Sequence, residues 1–355
     1  MVRGEHNAYI PTDLIPEILS RLSRKSVARF RCVSKLWRSI LSGPRLLFAL
    51  ERSNHEFLFF SSHSPYEKSP LVVTADFHMR FSQDLYPNFG GFTSGLIYFS
   101  HLQISKNECW QRQIYNLNTG RNMTLPRLDR YRKCNSFLGF DPLDKQFKVL
   151  FMAYLGGPDD DRILTVTTGK KKWRKIECPI RPEPSCDHWI CINGVLYYIG
   201  KNGGDSYLIC CFDVRSEIFQ FVEADCFRNP QVTQLINYKG KLCGIDLTYN
   251  ESNAIVLHMW ILEDVETEEW SEYVYTLPEN DIYEKIVVVG MTTTGEIILS
   301  EKYTSKQFCV FYFSPERNTL RRVEIRGVGK YREAFEDDSR VHAFLDYLVD
   351  AKFKS

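Results

Sequence analysis

CCFDVRSEIFQFV (residues 210–222) reads as an apolar strand, a polar turn and a second strand. The same design returns as IYNLNTGRNMTLP (114–126), LTVTTGKKKWRKIECP (164–179), MWILEDVETEEWSEYVYTLP (259–278) and FYFSPERNTLRRVEI (311–325), with Trp173 and Trp270 opening two of the second strands. The turn anchors Thr119, Thr168, Ser216, Thr267 and Thr319 are spaced by 49, 48, 51 and 52 residues. Ahead of the hairpins stands a Gly followed by an apolar or aromatic run: Gly95–Phe99, Gly194–Tyr198, Gly240–Cys243 and Gly295–Leu299. FLGFDP (137–142) with FKVL (147–150) is a variant of this run. Four strands in about 50 residues, repeated, is the arithmetic of a propeller blade. Five units are visible, and EFLFFSS (56–62) with LVVTADF (71–77) makes a less regular sixth. The run VHAFLDYL (341–348) fits either a closing strand or a short terminal helix. The competing architecture is a pair of β-sandwiches without radial symmetry.

Composition sets the frame for this reading. The chain has 355 residues, 44% hydrophobic and 25% charged, enough for one small and one large module. Aromatics reach 14%, with 24 Phe and 19 Tyr, which favours sheet. A net charge of +1 gives no global field toward nucleic acid or an acidic membrane. No apolar run approaches the roughly 20 residues of a bilayer span, and MVRGEHNAYIP at the start has no apolar signal core. The expectation is an intracellular protein of cytoplasm and/or nucleus, with neither membrane nor nucleic acid as partner. The 11 cysteines are odd in number, irregular in spacing and never Cys-x-x-Cys, so they read as small buried hydrophobes.

Residues 10–50, IPTDLIPEILSRLSRKSVARFRCVSKLWRSILSGPRLLFAL, follow a different period. Thr12 suits a helix N-cap, and Pro16 is tolerated in the first turn. At 100° per residue Leu14, Ile15, Ile18, Leu19 and Leu22 share an arc of about 140°. A short second helix over 27–33 is apolar nearly all round, leaving mainly Arg29 and Arg31 polar. A third, from Lys35 to about Leu41, gathers Leu36, Trp37, Ile40 and Leu41 on one face before Gly43-Pro44 ends it. Three such helices cannot bury this surface among themselves. The excess is met either by the following domain or by a partner.

This segment resembles the F-box in its plant-type form: Pro11, Asp13-Leu14, Glu17-Ile18-Leu19, Arg21-Leu22, Lys25-Ser26-Val27, Arg29-Phe30, then Arg31 to Trp37. Ser23 departs from the Pro usual after the Arg-Leu pair. The later pieces GFDP…KVL, NGVLY and CFDVRSE are similar to the F-box-associated propeller domain of type 3, and the double-Gly signature of kelch blades is missing. The resemblance implies an α+β multidomain chain: a small three-helix F-box, then a mostly antiparallel all-β propeller of about six blades. The expected divisions are a flexible N-terminus (1–8), F-box (9–50), propeller (55–330) and C-terminal closing segment (331–355). It also implies docking on a Skp-family adaptor, and through it a cullin, by Pro11, Leu14, Ile15, Ile18, Leu19, Leu22, Val27, Phe30, Val33 and Trp37. The propeller would recruit a protein target for ubiquitination, its identity not readable here. A stand-alone scaffold is the alternative, and an enzyme using the propeller channel a more distant one.

Little in the sequence speaks for chemistry. Cys186-Asp187-His188 places a nucleophile beside a base without a third orienting group, and with Cys191 it lacks a second metal-ligand pair. Phosphate-cradling glycine loops and nucleophile elbows are absent. No catalytic residue, metal or cofactor is expected. Lys170–Lys175 is a basic run with one Trp, read as a solvated hairpin turn, with a nuclear-import or nucleic-acid patch as the alternative. Glu263-Asp264, Glu266 and Glu268-Glu269 form an acidic turn in a later unit. Candidate target-contact loops are Gly156–Arg162, Arg181–Trp189 and Thr248–Ala254, because blade-end loops vary freely.

Overall fold

The structure is a computed structural model describing residues 45–346, apart from 53–55, 64–71, 82–85, 106–107, 118–119, 129–133, 154–160, 167–170, 279–281, 283–284, 305–307 and 329–338. The three expected helices and the whole docking set, Pro11 to Trp37, lie outside the described residues, as do the anchors Thr119 and Thr168. Among the described residues no helix is long and apolar enough to cross a membrane.

Six sheets follow one another along the chain. Blade 1 is Tyr86–Thr93, Leu96–Ser105, Glu108–Asn116 and Arg121–Thr124. Blade 2 is Cys134–Asp141, Gln146–Ala153, Arg162–Thr165 and Arg174–Lys175, and blade 3 is Glu183–Ile192, Val195–Lys201, Tyr207–Asp213 and Phe219–Glu223. Blade 4 is Gln234–Tyr238, Lys241–Tyr249, Ile255–Asp264 and Glu269–Thr276. Blade 5 is Ile286–Met291, Ile297–Glu301, Cys309–Ser314 and Thr319–Arg326, with Val72–Thr74 added in parallel on its outer edge. Blade 6 takes Ser339–Asp346 as its innermost strand, then Arg45–Glu51, Phe57–His63 and Asp76–Phe81, with Tyr303–Thr304 beside Ser339 and Arg340.

Two local devices repeat, and both are legible in the turn residues. The first and second strands of blades 1, 3 and 4 meet in two-residue loops, Ser94-Gly95, Asn193-Gly194 and Lys239-Gly240, in which both residues have positive φ. That is a type I′ turn, whose second position explains the Gly that opened each unit. Third and fourth strands meet in longer loops that place one residue in left-handed conformation: Gly120, Glu217, Glu268 and Asn318. A side chain at the head of the loop caps it, as Asp213 Oδ1 accepts from Ser216 N at 2.6 Å and Asp264 Oδ1 from Thr267 N at 2.9 Å. In blade 5 the same role falls to Ser314 and Arg317, so Thr319 is displaced from the series and already opens the fourth strand.

The cores lie between blades, not within a layer. Each neighbouring pair shares one apolar cluster, from Tyr98 with Phe147 between blades 1 and 2 round to Leu47 and Phe59 with Ile97 and Phe99 between blades 6 and 1. Central strands are therefore covered on both faces, as in Phe147–Ala153, where every residue is buried, while the outer strand Phe219–Glu223 alternates. Six clusters joining six blades in a closed ring exclude the sandwich alternative.

The ring is closed by the two ends of the propeller sequence. Ser339–Asp346 pairs antiparallel with Arg45–Glu51 over seven residue pairs, and His342 Nε2 lies 2.9 Å from Glu51 Oε2. VHAFLDYL thus supplies a closing strand through Asp346. Arg45–Glu51, whose sequence we assigned mostly to the helical segment, is a strand of the sheet because its partner comes from the far end of the chain. Of the pieces expected in an irregular sixth blade, Phe57–His63 and Asp76–Phe81 are there, while Val72–Thr74 crosses to blade 5.

Candidate functional site

Strand direction gives the propeller two unlike ends. In every blade the first–second turns lie at one end, and the second–third connections and inter-blade links at the other. Arg45 begins a second strand and so lies at the turn end, which is where the N-terminal segment joins. The three candidate contact loops all belong to the opposite, loop end.

A buried carboxylate, Asp161, is joined to Arg181 at this end. Asp161 is 1% exposed, and its Oδ2 accepts from Arg181 Nε at 3.0 Å and Nη2 at 2.8 Å. Its Oδ1 accepts from Ala153 N at 3.1 Å, and its carbonyl from Ile176 N at 3.2 Å. Asp161, in the described part of Gly156–Arg162, is thereby joined to Arg181 at the head of Arg181–Trp189, across blades 2 and 3. Thr248–Ala254 stands apart on blade 4, held by Asn250 Oδ1, which accepts from Ser252 N at 3.1 Å and Ala254 N at 2.9 Å. The loop end also exposes apolar side chains: Ile180, Val232, Tyr249 and Tyr303, on links and loops from blade 2 to blade 6.

A second buried carboxylate lies at the loop end of blade 6. Glu56 is 1% exposed and is clamped by Arg52, at 2.6 Å, and by Arg80. Burial pushes its pKa up, but the two guanidinium groups outweigh burial and hold it below the ordinary 4.5. The unfolded chain therefore takes up this proton first as pH falls. The clamp's stability is present above the ordinary value and lost as pH drops through the folded one. Glu56→Gln is expected to flatten the stability–pH profile as pH falls below the ordinary carboxylate value. Urea midpoints across that range check it, and an unaltered slope in the variant would reject the clamp.

The Trp189 indole links the innermost strands of blades 1, 2 and 3. Trp189, on the innermost strand of blade 3, packs edge-on to Phe137 at 6.4 Å and against the backbone of Gly91, on the innermost strand of blade 1. The neighbouring Cys186, Asp187 and His188 lie in the same strand, but their side chains fall outside the described residues. Cys191 points between blades, where its Sγ accepts from Phe140 N at 3.3 Å. Burial pushes its thiol up to about 11, so it is no ready nucleophile or ligand. Among the described residues no group of three or more His, Cys, Asp or Glu could hold a metal ion.

The charged turns have partly structural uses. Arg174, in the basic run, joins Lys148 in pairing with Glu217 across blades 2 and 3, the Lys148 pair being 2.7 Å. Trp173 donates from Nε1 to Pro126 O at 2.8 Å, which seals blade 2 to blade 1. Lys171, Lys172 and Lys175 stay exposed. In the acidic turn Glu263 pairs with Lys241, and Glu268 Oε2 accepts from Glu223 N of blade 3 at 3.2 Å. Sequence reasoning did not single out Asp161, Arg181 or Glu56. Their signal is a partner many residues away, which spacing does not carry.

Residues 45–348 match the family model described as the F-box associated beta propeller domain, and residues 9–49 that of the F-box domain. The chain belongs to the F-box-associated propeller family. Three F-box proteins of Arabidopsis thaliana, two of them titled putative, are 48%, 46% and 46% identical over 97%, 98% and 97% of this chain. The chain spans 66% of the first relative's length, and 93% and 91% of the other two. Among solved structures, TolB from Acinetobacter baumannii superposes with a TM-score of 0.47 at 14% identity, over 91% of this chain and 73% of that one. At that degree of likeness it bears on neither function nor site. The F-box match covers the segment from Pro11 to Trp37, and the propeller match begins at the strand that the closing segment pairs with.

Proposed function

We propose that this F-box protein is the substrate-recognition subunit of a Skp–cullin–F-box ubiquitin ligase. The F-box docks the Skp-family adaptor, and the propeller holds a protein target at its loop end. The observation that supports this most is the order of modules in one chain: an F-box match directly preceding a closed propeller whose sequence joins it at the turn end. Catalysis is then by proximity, since holding target and ubiquitin-loaded enzyme together raises their effective concentration. The isopeptide chemistry belongs to other subunits, and this chain contributes no catalytic residue or cofactor. Cytoplasm and/or nucleus is the compartment this role requires.

Docking rests on Pro11, Leu14, Ile15, Ile18, Leu19, Leu22, Val27, Phe30, Val33 and Trp37. Each aliphatic side chain buried there contributes about 1.5–3 kcal/mol before association entropy is subtracted. Leu14→Asp puts a charge on that face and is expected to abolish co-purification with the adaptor while leaving the propeller's thermal transition in place. Undiminished co-purification would return the chain to the scaffold reading.

A further inference from the structure

Arg112 carries a charge that its surroundings leave unmatched. It stands on the third strand of blade 1, one residue beyond the last ladder pair Gln113 with Thr124, and its carbonyl accepts from Leu125 N at 2.9 Å. That is the loop end of the seam between blades 1 and 2. The residue is 5% exposed, with its guanidinium 4.6 Å over the Phe151 ring. Nη2 reaches Cys134 Sγ at 3.4 Å, and Nε is buried with no acceptor. No carboxylate lies within ion-pair reach of it among the described residues. Three other buried charges are matched: Glu56 by Arg52 and Arg80, Asp161 by Arg181, Lys148 by Glu217.

A guanidinium does not shed its proton in a protein, so burial cannot neutralise it. Its neighbours do not supply the missing charge. Burial raises the Cys134 thiol and the Tyr98 phenol, the latter to about 12, and the pull of Arg112 only partly offsets this. Tyr98 donates to Ser136 Oγ at 2.7 Å, which leaves the Ser136 hydroxyl hydrogen to be given elsewhere. The seam thus offers a guanidinium fork and a serine hydroxyl above an aromatic floor, with half-buried Cys134 at its outer edge. Planar forks of this kind suit two-oxygen recognition.

We propose that Arg112 is the seat of an oxyanion site, filled by a carboxylate or phosphate group of the protein recruited at the loop end. The identity of the carrier rests on the reading of that end as the target face. The site itself does not.

The full-length chain, titrated with inorganic phosphate and separately with N-acetylaspartate at matched ionic strength, distinguishes the two oxyanions by calorimetry. Saturable binding of one or both is expected. Arg112→Met should fold at least as well, because a buried unpaired charge is removed. It should bind the anion about 10- to 100-fold more weakly, the loss of a charged hydrogen bond. Arg112→Lys should retain part of the binding, as a point charge without the fork. No saturable binding in the parent, or equal binding in Arg112→Met, overturns the site. An Arg112→Met chain that has lost the anion yet still captures the parent's targets refutes the link to the target and leaves the anion site standing.

Discussion

Deletion of residues 339–355 is expected to abolish cooperative unfolding of the propeller. The segment Ser339–Asp346 is the innermost strand of blade 6. Val341 is buried in the core between blades 5 and 6, with Ala343 and Leu345 packed against it, and Phe344 packs on the core between blades 6 and 1. Losing these side chains forfeits about 1.5–3 kcal/mol for each large one. Seven ladder pairs with Arg45–Glu51 go with them. The sum is comparable to the 5–15 kcal/mol stability of a typical domain. The deletion also bares Arg45–Glu51 as an apolar strand edge, a template for aggregation. Thermal unfolding followed by circular dichroism, with dye binding to exposed apolar surface, checks the result. A sharp transition near the parent's would mean that the blade 6 contacts do not hold the ring shut.

The second large effect falls on the innermost strands, where Trp189 meets Gly91. Gly91 has φ +138°, a region that L side chains rarely adopt, and a Cβ there would come within 2.5 Å of the Trp189 ring. Gly91→Ala combines backbone strain of about 1–3 kcal/mol with a comparable overpacking cost. A loss of about 2–5 kcal/mol is therefore expected, read as a shift in denaturant midpoint at unchanged slope. The paired test is Gly91→Ala with Trp189→Ala. Trimming the indole removes the clash but not the strain, so the double variant should be less destabilised than the two singles summed. Strict additivity would show that the ring does not press on this backbone.

Both predictions turn on contacts between residues far apart in the chain, and this is where sequence reading stopped. The 50-residue period was legible because each hairpin is local: Asn193-Gly194 and Asp213 with Ser216 make their turns with their own neighbours. The helical face expected from Leu14 to Leu22 lies outside the described residues. Thr319 was misplaced in the repeat because its turn is capped by Ser314 in place of Asp, and composition alone does not show which residue takes left-handed backbone.

By itself the sequence determined the kinds of module, their order and the strand count per blade. Those follow from periodicity and turn chemistry, which act over a few residues. Only the tertiary structure decided that the last strand closes the first sheet, that Asp161 pairs with Arg181 across blades 2 and 3, and that Trp189 links the innermost strands of blades 1 to 3. It alone set Arg112 in a seam without a counter-charge. Each depends on which side chains the ring brings face to face, and a ring of blades joins residues as distant as Glu51 and His342, 291 positions apart.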